Sequence, residues 1–221
     1  MKNVRKQFGA FLIIAGIAIG VGYFMLKPSD TLPIFQPSDV NPALVDEDLR
    51  GNEDHHILDF ELVNQLGDTV TKQDVEGKLL VVNFFFARCA TICPKISANI
   101  SKTSAYFEGD ESVHFLSHSV TPQIDSVSVL ANYAQTFEAD SDRWWLLTGE
   151  KSHIYELARR SYFAVLDEGD GGLQDFIHTE NVVLIDTKGR LRGYYDGTAS
   201  KDISRLISDI EKLKLEVSTE D

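Results

Sequence analysis

The chain has 221 residues, 43% hydrophobic and 25% charged, which suits one globular domain with appendages and a core that needs no disulfide staple. Its net charge of -13 becomes -17 once the N-terminal cations Lys2, Arg5, Lys6 and Lys27 are set aside. So acidic a body repels nucleic acid and anionic lipid headgroups, and tolerates basic partners or cations, although the charge equally serves plain solubility.

The first element is Phe8 to Leu26, an uncharged run. At 1.5 Å per residue it extends about 28 Å, close to the thickness of a bilayer core. Cations precede it and acidic residues dominate after it. The positive-inside rule then predicts a cytoplasmic tip, a single-pass anchor and a body outside. The N-terminus looks like a bacterial signal-anchor rather than an Arg- and Ser-rich mitochondrial presequence, which places the anchor in an inner membrane and the body in the periplasm. A cleaved signal peptide is the rival, but no convincing small-x-small cleavage site precedes the Lys27-Pro28 break, and the apolar run is longer than a usual signal core. Residues 1–27 are thus read as tip and anchor. Residues 28–54 hold Pro28, Pro33, Pro37 and Pro42, and are read as an extended, semi-rigid tether. The folded domain is expected over 55–215, with 216–221 as a tail.

Within the domain, Ile57 to Leu62 alternates like a strand, and Asp68 to Val70 pairs with it through Gly67. Leu79 to Phe86 is an almost unbroken apolar run, as expected of a strand buried on both faces. Ile96, Ile100, Thr103 and Phe107 recur at helical spacing. Val113 to Val120 is a second long strand. Val127, Leu130, Ala131, Ala134 and Phe137 line a helix. Trp144 to Leu147 is a strand, and Ile154, Leu157 and Ala158 mark the next helix. Residues 167–172 form a plain loop whose acids lack calcium-loop spacing. Val182 to Ile185 and Leu191 to Tyr195 make a hairpin around Lys188-Gly189, and Ile203, Leu206, Ile207, Ile210 and Leu213 form a closing amphipathic helix. Strand–helix alternation ending in a hairpin predicts an α/β fold: a central mixed sheet with helices on both faces.

Cys89 and Cys93, the two cysteines of the chain, follow the most buried strand and sit where a helix should begin. Sites in open sheets lie at the carboxyl ends of strands. A helix start also favours thiolate, which is both nucleophile and metal ligand. Positions i and i+4 of a regular helix hold Cβ atoms about 5–6 Å apart, wider than the roughly 3.8 Å of a disulfide. That gap favours a metal bridging two sulfurs; with Cys89 in the loop before the helix, a disulfide also becomes feasible. Pro94 suits the first helical turn. The bland alternative, two inert core thiols, fits poorly with a domain outside the membrane. His55 and His56 are expected at the surface, Trp144 and Trp145 as a half-buried pair, and His114 and His153 carry no functional signal.

Residues 84–94 (FFFARCATICP) resemble the Cys-x-x-x-Cys-Pro motif of the Sco/SenC family. LLTG at 146–149 and the stretch from Asp175 through His178-Thr179 to VVLIDTKGRL match as well, so the resemblance runs from about His55 to Leu213. It implies a thioredoxin-like fold on a transmembrane helix and a copper metallochaperone that assists assembly of the copper centre of cytochrome c oxidase. It also implies copper, as Cu(I), Cu(II) or both, held by Cys89, Cys93 and His178. Two soft thiolates with one imidazole agree with that cargo. The implied partner is the copper-bearing oxidase subunit, with other copper carriers or thiol reductases as further candidates. Thioredoxin-like reductases carry a cis-proline just before the hairpin, whereas the last proline here is Pro122. The family's Asp-Pro after the second strand is replaced by Thr121-Pro122, Asp125 matches the later acid, and His118 stands where a small or aliphatic residue is usual. His118 is read as a local structural residue, with an extra ligand or proton carrier as the alternative. A thiol–disulfide oxidoreductase using Cys89 and Cys93 as its redox pair, and a copper or redox sensor, stand as the rival functions.

Overall fold

The computed structural model describes residues 15–21, 31–165 and 179–220. Strand β1 (Glu61–Val63) pairs antiparallel with β2 (Thr69–Thr71) as a small hairpin. Its turn is closed by Gly67 at φ 89°, a left-handed conformation that favours glycine. The main sheet has the order β5-β4-β3-β6-β7. It comprises β3 (Leu79–Phe85), β4 (Val113–Ser119), β5 (Trp144–Leu147), β6 (Asn181–Ile185) and β7 (Leu191–Asp196). Strands β3, β4 and β5 run parallel; β6 and β7 are antiparallel additions.

The helices follow from the connections. Parallel neighbours need a crossover, so α1 (Ile92–Tyr106) links β3 to β4 and α2 (Val127–Thr136) links β4 to β5. Both step the same way across the sheet and pack on one face with the closing helix α4 (Ser200–Glu220), burying Ile96, Ile100, Leu130, Ala134, Leu206 and Ile210. The other face is covered by α3 (Lys151–Glu156), which continues as a π-helical turn over Leu157–Ser161, and by the β1–β2 hairpin. Every residue of β3 and β4 is buried, as strands sandwiched between two layers require.

The predicted mixed sheet with helices on both faces is the observed one, and most element bounds agree to within a residue or two. The first strand is shorter than the expected Ile57 to Leu62. Ile57 N donates to Gly189 O at 2.8 Å in the turn of the β6–β7 hairpin, so the segment is extended but bonded outside the β1–β2 pair.

The tether reading over 28–54 changes from Leu32 onward, where one compact unit begins. Phe35 N donates to Leu191 O at 2.8 Å, and Val45 is buried. Arg192, itself buried, donates to the Leu32 and Pro33 carbonyls at 2.7 and 3.0 Å and pairs with Asp186 and Glu216. Proline-rich backbone has no internal hydrogen bonds, and that is what leaves those carbonyls free for a buried guanidinium. The same cluster corrects the C-terminal tail over 216–221: α4 runs through Glu220, and Glu216 accepts from Leu32 N at 2.7 Å.

The anchor expected within residues 1–27 lies largely outside the described residues. Residues 15–21 are helical, with Ile17, Ile19 and Val21 exposed. Among the described residues no helix is long and apolar enough to cross a membrane.

Candidate metal and thiol site

The apolar run of β3 ends at Phe85, and the chain turns into α1 through residues 86–91. Cys89 lies in this turn, with its N–H donating to Phe86 O at 3.1 Å. Cys93 is the second residue of α1, and Pro94 follows in the first turn, where a missing N–H costs nothing. The helix starts at Thr91 without a side-chain cap. The Cys89 sulfur supplies that function instead, accepting from Cys93 N at 3.5 Å. The Thr91 hydroxyl lies 3.6 Å from the same sulfur. The spacing is therefore that of a loop cysteine facing a helical one, not of two positions on a regular helix.

Both cysteines are free, and they are not equivalent. Cys93 is 4% exposed. Burial pushes its thiol up to about 12, and the neighbouring Cys89 adds to the rise. Cys89 is half-buried. Burial alone would raise its pKa, but hydrogen bonds from the Cys93 and Thr91 backbone amides and from the Thr91 hydroxyl outweigh it and bring the thiol down to about 7. Near neutral pH one sulfur is substantially thiolate while its partner holds its proton.

A buried carboxylate braces the loop. Asp125 is fully buried, and its Oδ2 accepts from Ala87 N at 3.1 Å, Ser119 Oγ at 2.6 Å and Thr121 Oγ1 at 2.9 Å. It thus ties the end of β4 to the turn carrying Cys89. Its Oδ1 has no partner among the described residues. The sequence marked Asp125 as an acid of the matching segment but not its role as a clamp; two hydroxyl residues six and four positions before an acid, at a strand end, are the signal that was there to read.

The register of β3 and β6 brings a second segment to the same end of the sheet. Asn83 lies opposite Val182 in an antiparallel pair, so the chain entering β6 passes the exit of β3. Thr179 Oγ1 and Asn181 Nδ2 both donate to Ala164 O, at 2.9 and 3.0 Å. These bonds fasten together the two ends of the stretch that contains His178. His178 itself lies outside the described residues, and among the described residues no three His, Cys, Asp or Glu side chains converge as a metal site.

The other histidines separate from the cysteines. His118 is fully buried on the opposite face of the sheet, stacked on Phe84 at 5.2 Å and beside Tyr162 at 5.5 Å. Neither ring nitrogen has a partner among the described residues, and burial drives its pKa down to about 3. It is a neutral core residue, and the ligand alternative does not hold for it. His55 was expected at the surface and is buried. Its Nε2 lies 2.8 Å from Ser161 O, a carbonyl at the end of the π-helical turn, and its ring packs on Phe163 at 4.5 Å. Trp144 is buried and Trp145 half-buried, and His114 packs on Trp145.

A mixed sheet of this order, with a cysteine pair where the central strand runs into α1, defines a thioredoxin-type α/β protein. The SCO1/SenC family model matches residues 49–215, and the chain belongs to that family. It is 28% identical over 159 residues to the SCO1 protein homolog of Bacillus subtilis, an alignment spanning 71% of this chain and 82% of that one. The solved structure of BsSco is described as that of a member of the Sco family of cytochrome c oxidase assembly proteins with a disulfide switch. It is similar with a TM-score of 0.62 and 27% identity, over 74% of this chain and 95% of that one. Bradyrhizobium japonicum ScoI, solved with copper bound, shares the fold with a TM-score of 0.57 at 22% identity, over 72% of this chain and 99% of that one.

Proposed function

We propose that this chain is a membrane-anchored copper metallochaperone that carries copper on Cys89, Cys93 and His178 and delivers it to the copper-bearing subunit of cytochrome c oxidase. The observation that carries the reading is the pair of free sulfurs at the carboxyl end of the central strand, one near its thiolate pKa and held against the amide of the other. Sulfur donors suit Cu(I), and an added imidazole also makes Cu(II) acceptable. Membership of the family, whose member BsSco is named for oxidase assembly, and the copper held by Bradyrhizobium japonicum ScoI support the same cargo and partner. His178 immediately precedes Thr179, whose hydroxyl donates to Ala164 O at 2.9 Å ahead of β6. Residues 1–27 would anchor the protein in a bacterial inner membrane with the domain in the periplasm.

A second reading rests on the same asymmetry. A thiol near 7 beside one near 12 is the arrangement of an attacking and a resolving cysteine, so Cys89 and Cys93 could reduce a disulfide in an oxidase subunit. Titration of the reduced full chain with Cu(I) and Cu(II), alongside Cys89→Ser, Cys93→Ser and His178→Ala, separates the two. The copper reading expects one tightly held copper per chain, a thiolate-to-Cu(II) absorption band, and marked weakening in all three variants. Weak binding, or binding that the cysteine variants leave unchanged, would contradict it and leave disulfide exchange.

A further inference from the structure

We infer that the cysteine end of this protein docks a partner protein whose matching surface is rich in carboxylates. From Gly77 to Phe107, through β3, the cysteine turn and α1, the chain contains no Asp or Glu, yet it carries Lys78, Arg88, Lys95 and Lys102. Residues 126–137, which include α2, carry no charge. The one acid between these stretches that lies at this end is Asp125, and it is buried. The β3, cysteine-turn, α1 and α2 stretches beside the cysteines are therefore basic and neutral in a body that otherwise runs strongly acidic, although exposed Glu180 enters β6 at the same end of the sheet.

Arg88, Lys95 and Lys102 are exposed, and none has an ion pair or hydrogen bond among the described residues. Several cations elsewhere are matched: Lys72 with Asp59, Arg160 with Asp46 and Asp48, Arg205 with Asp202, Lys212 with Asp209 and Lys214 with Asp110. Arg88 adjoins Cys89 in the turn. Lys95 is two positions beyond Cys93, and Lys102 lies two turns further along the same side of α1, about 10 Å away. Charges spread this widely suit an extended surface rather than one small anion. Beside them Ile124 is 43% exposed, on the segment that Asp125 clamps to the cysteine turn, with Phe86 and Ile92 half-buried nearby in the chain. An apolar contact rimmed by unpaired cations, one of them Arg, has the composition of a protein-docking patch. An acidic partner is repelled by the rest of the body and attracted here, which orients its approach towards Cys89.

This inference rests on the proposed function only in taking Cys89 as a reacting atom, and its test uses no copper. The reduced full chain is mixed with two synthetic peptides. Each has one cysteine held as a mixed disulfide with thionitrobenzoate, flanked by glutamates in one peptide and by lysines in the other. The Cys89 thiolate attacks the peptide sulfur, the protein–peptide disulfide forms, and thionitrobenzoate leaves as a coloured thiolate. The glutamate peptide is expected to react faster by about threefold or more at low salt, with the preference lost at about 0.3 M salt, where the screening length is about 6 Å. Arg88→Glu/Lys95→Glu is expected to reverse the order. Lys188→Glu/Lys212→Glu, an equal charge change away from the cysteines, is expected to keep it. A faster lysine peptide, an unchanged order in the first variant, or an unreactive Cys89 would overturn the inference. Equal rates would also overturn it. Copper titration of the same variants reads the proposed function separately.

Discussion

Cys89 and His118 both lie at the carboxyl end of the parallel strands, one in the turn after β3 and one near the end of β4, and both residue types bind metals. They differ in what the neighbouring backbone offers. The Cys89 sulfur meets the open amides of a helix start, which stabilise its charged form and bring it to about 7. The His118 ring meets Phe84, Phe60 and Tyr162 and, among the described residues, no hydrogen-bond partner, and burial there lowers its pKa to about 3. The comparison shows that a side chain's reactivity here is set by the face of the sheet it occupies, more than by its distance along the strand.

The largest effect that would sharpen this contrast is on copper. Cys93→Ser is expected to weaken Cu(I) binding by about a hundredfold or more, while His118→Phe leaves it unchanged, as read by competition with a chelator. If His118→Phe weakened binding as much, the two regions would be one site and the comparison would break.

Next is the clamp. Asp125→Ala removes three bonds to a buried carboxylate oxygen and is expected to cost about 2–4 kcal/mol in urea unfolding, with Asp125→Asn, which keeps an acceptor, costing less. Equal losses would show that charge rather than hydrogen bonding carries the effect.

The pH dependence follows from His118. Its folded pKa is lowered, so below about 6.5 the unfolded chain binds a proton that the folded chain refuses. Its contribution to stability is present above that pH and is lost as pH falls towards 3, at up to about 1.4 kcal/mol per pH unit. His118→Phe is expected to flatten this slope between pH 6 and 4, measured by unfolding midpoints. Part of the slope should persist, because burial also lowers His55 and His114. An unchanged slope would mean the ring is already protonated in the fold.

The smallest effect concerns Thr91. Thr91→Val removes one weak bond to the Cys89 sulfur and is expected to raise its pKa by about half a pH unit, read from the pH dependence of alkylation.

Much of this was legible in the residues themselves. The buried strand Leu79 to Phe85, the helical spacing of Ile96, Ile100 and Thr103, and the turn at Lys188-Gly189 are local patterns, and local patterns decide secondary structure. The cysteine pair was legible because its place after a buried strand is also local. What escaped was long-range. Arg192 reaching the Leu32 and Pro33 carbonyls joins residues some 160 positions apart, so the first residues after Thr31 read as tether although they pack. His55 read as surface because the carbonyl that receives it is exposed only by the π-helical turn at Leu157–Ser161. Asp125 was visible as an acid, but its bond to Ala87 spans 38 positions and no spacing announces it.

The central claim is tested most directly by copper K-edge absorption on the Cu(I)-loaded full chain. Two sulfur scatterers and one nitrogen are expected, with the nitrogen lost in His178→Ala and one sulfur lost in Cys93→Ser. A spectrum with no sulfur shell, or one that neither substitution alters, would contradict the assignment of copper to Cys89, Cys93 and His178.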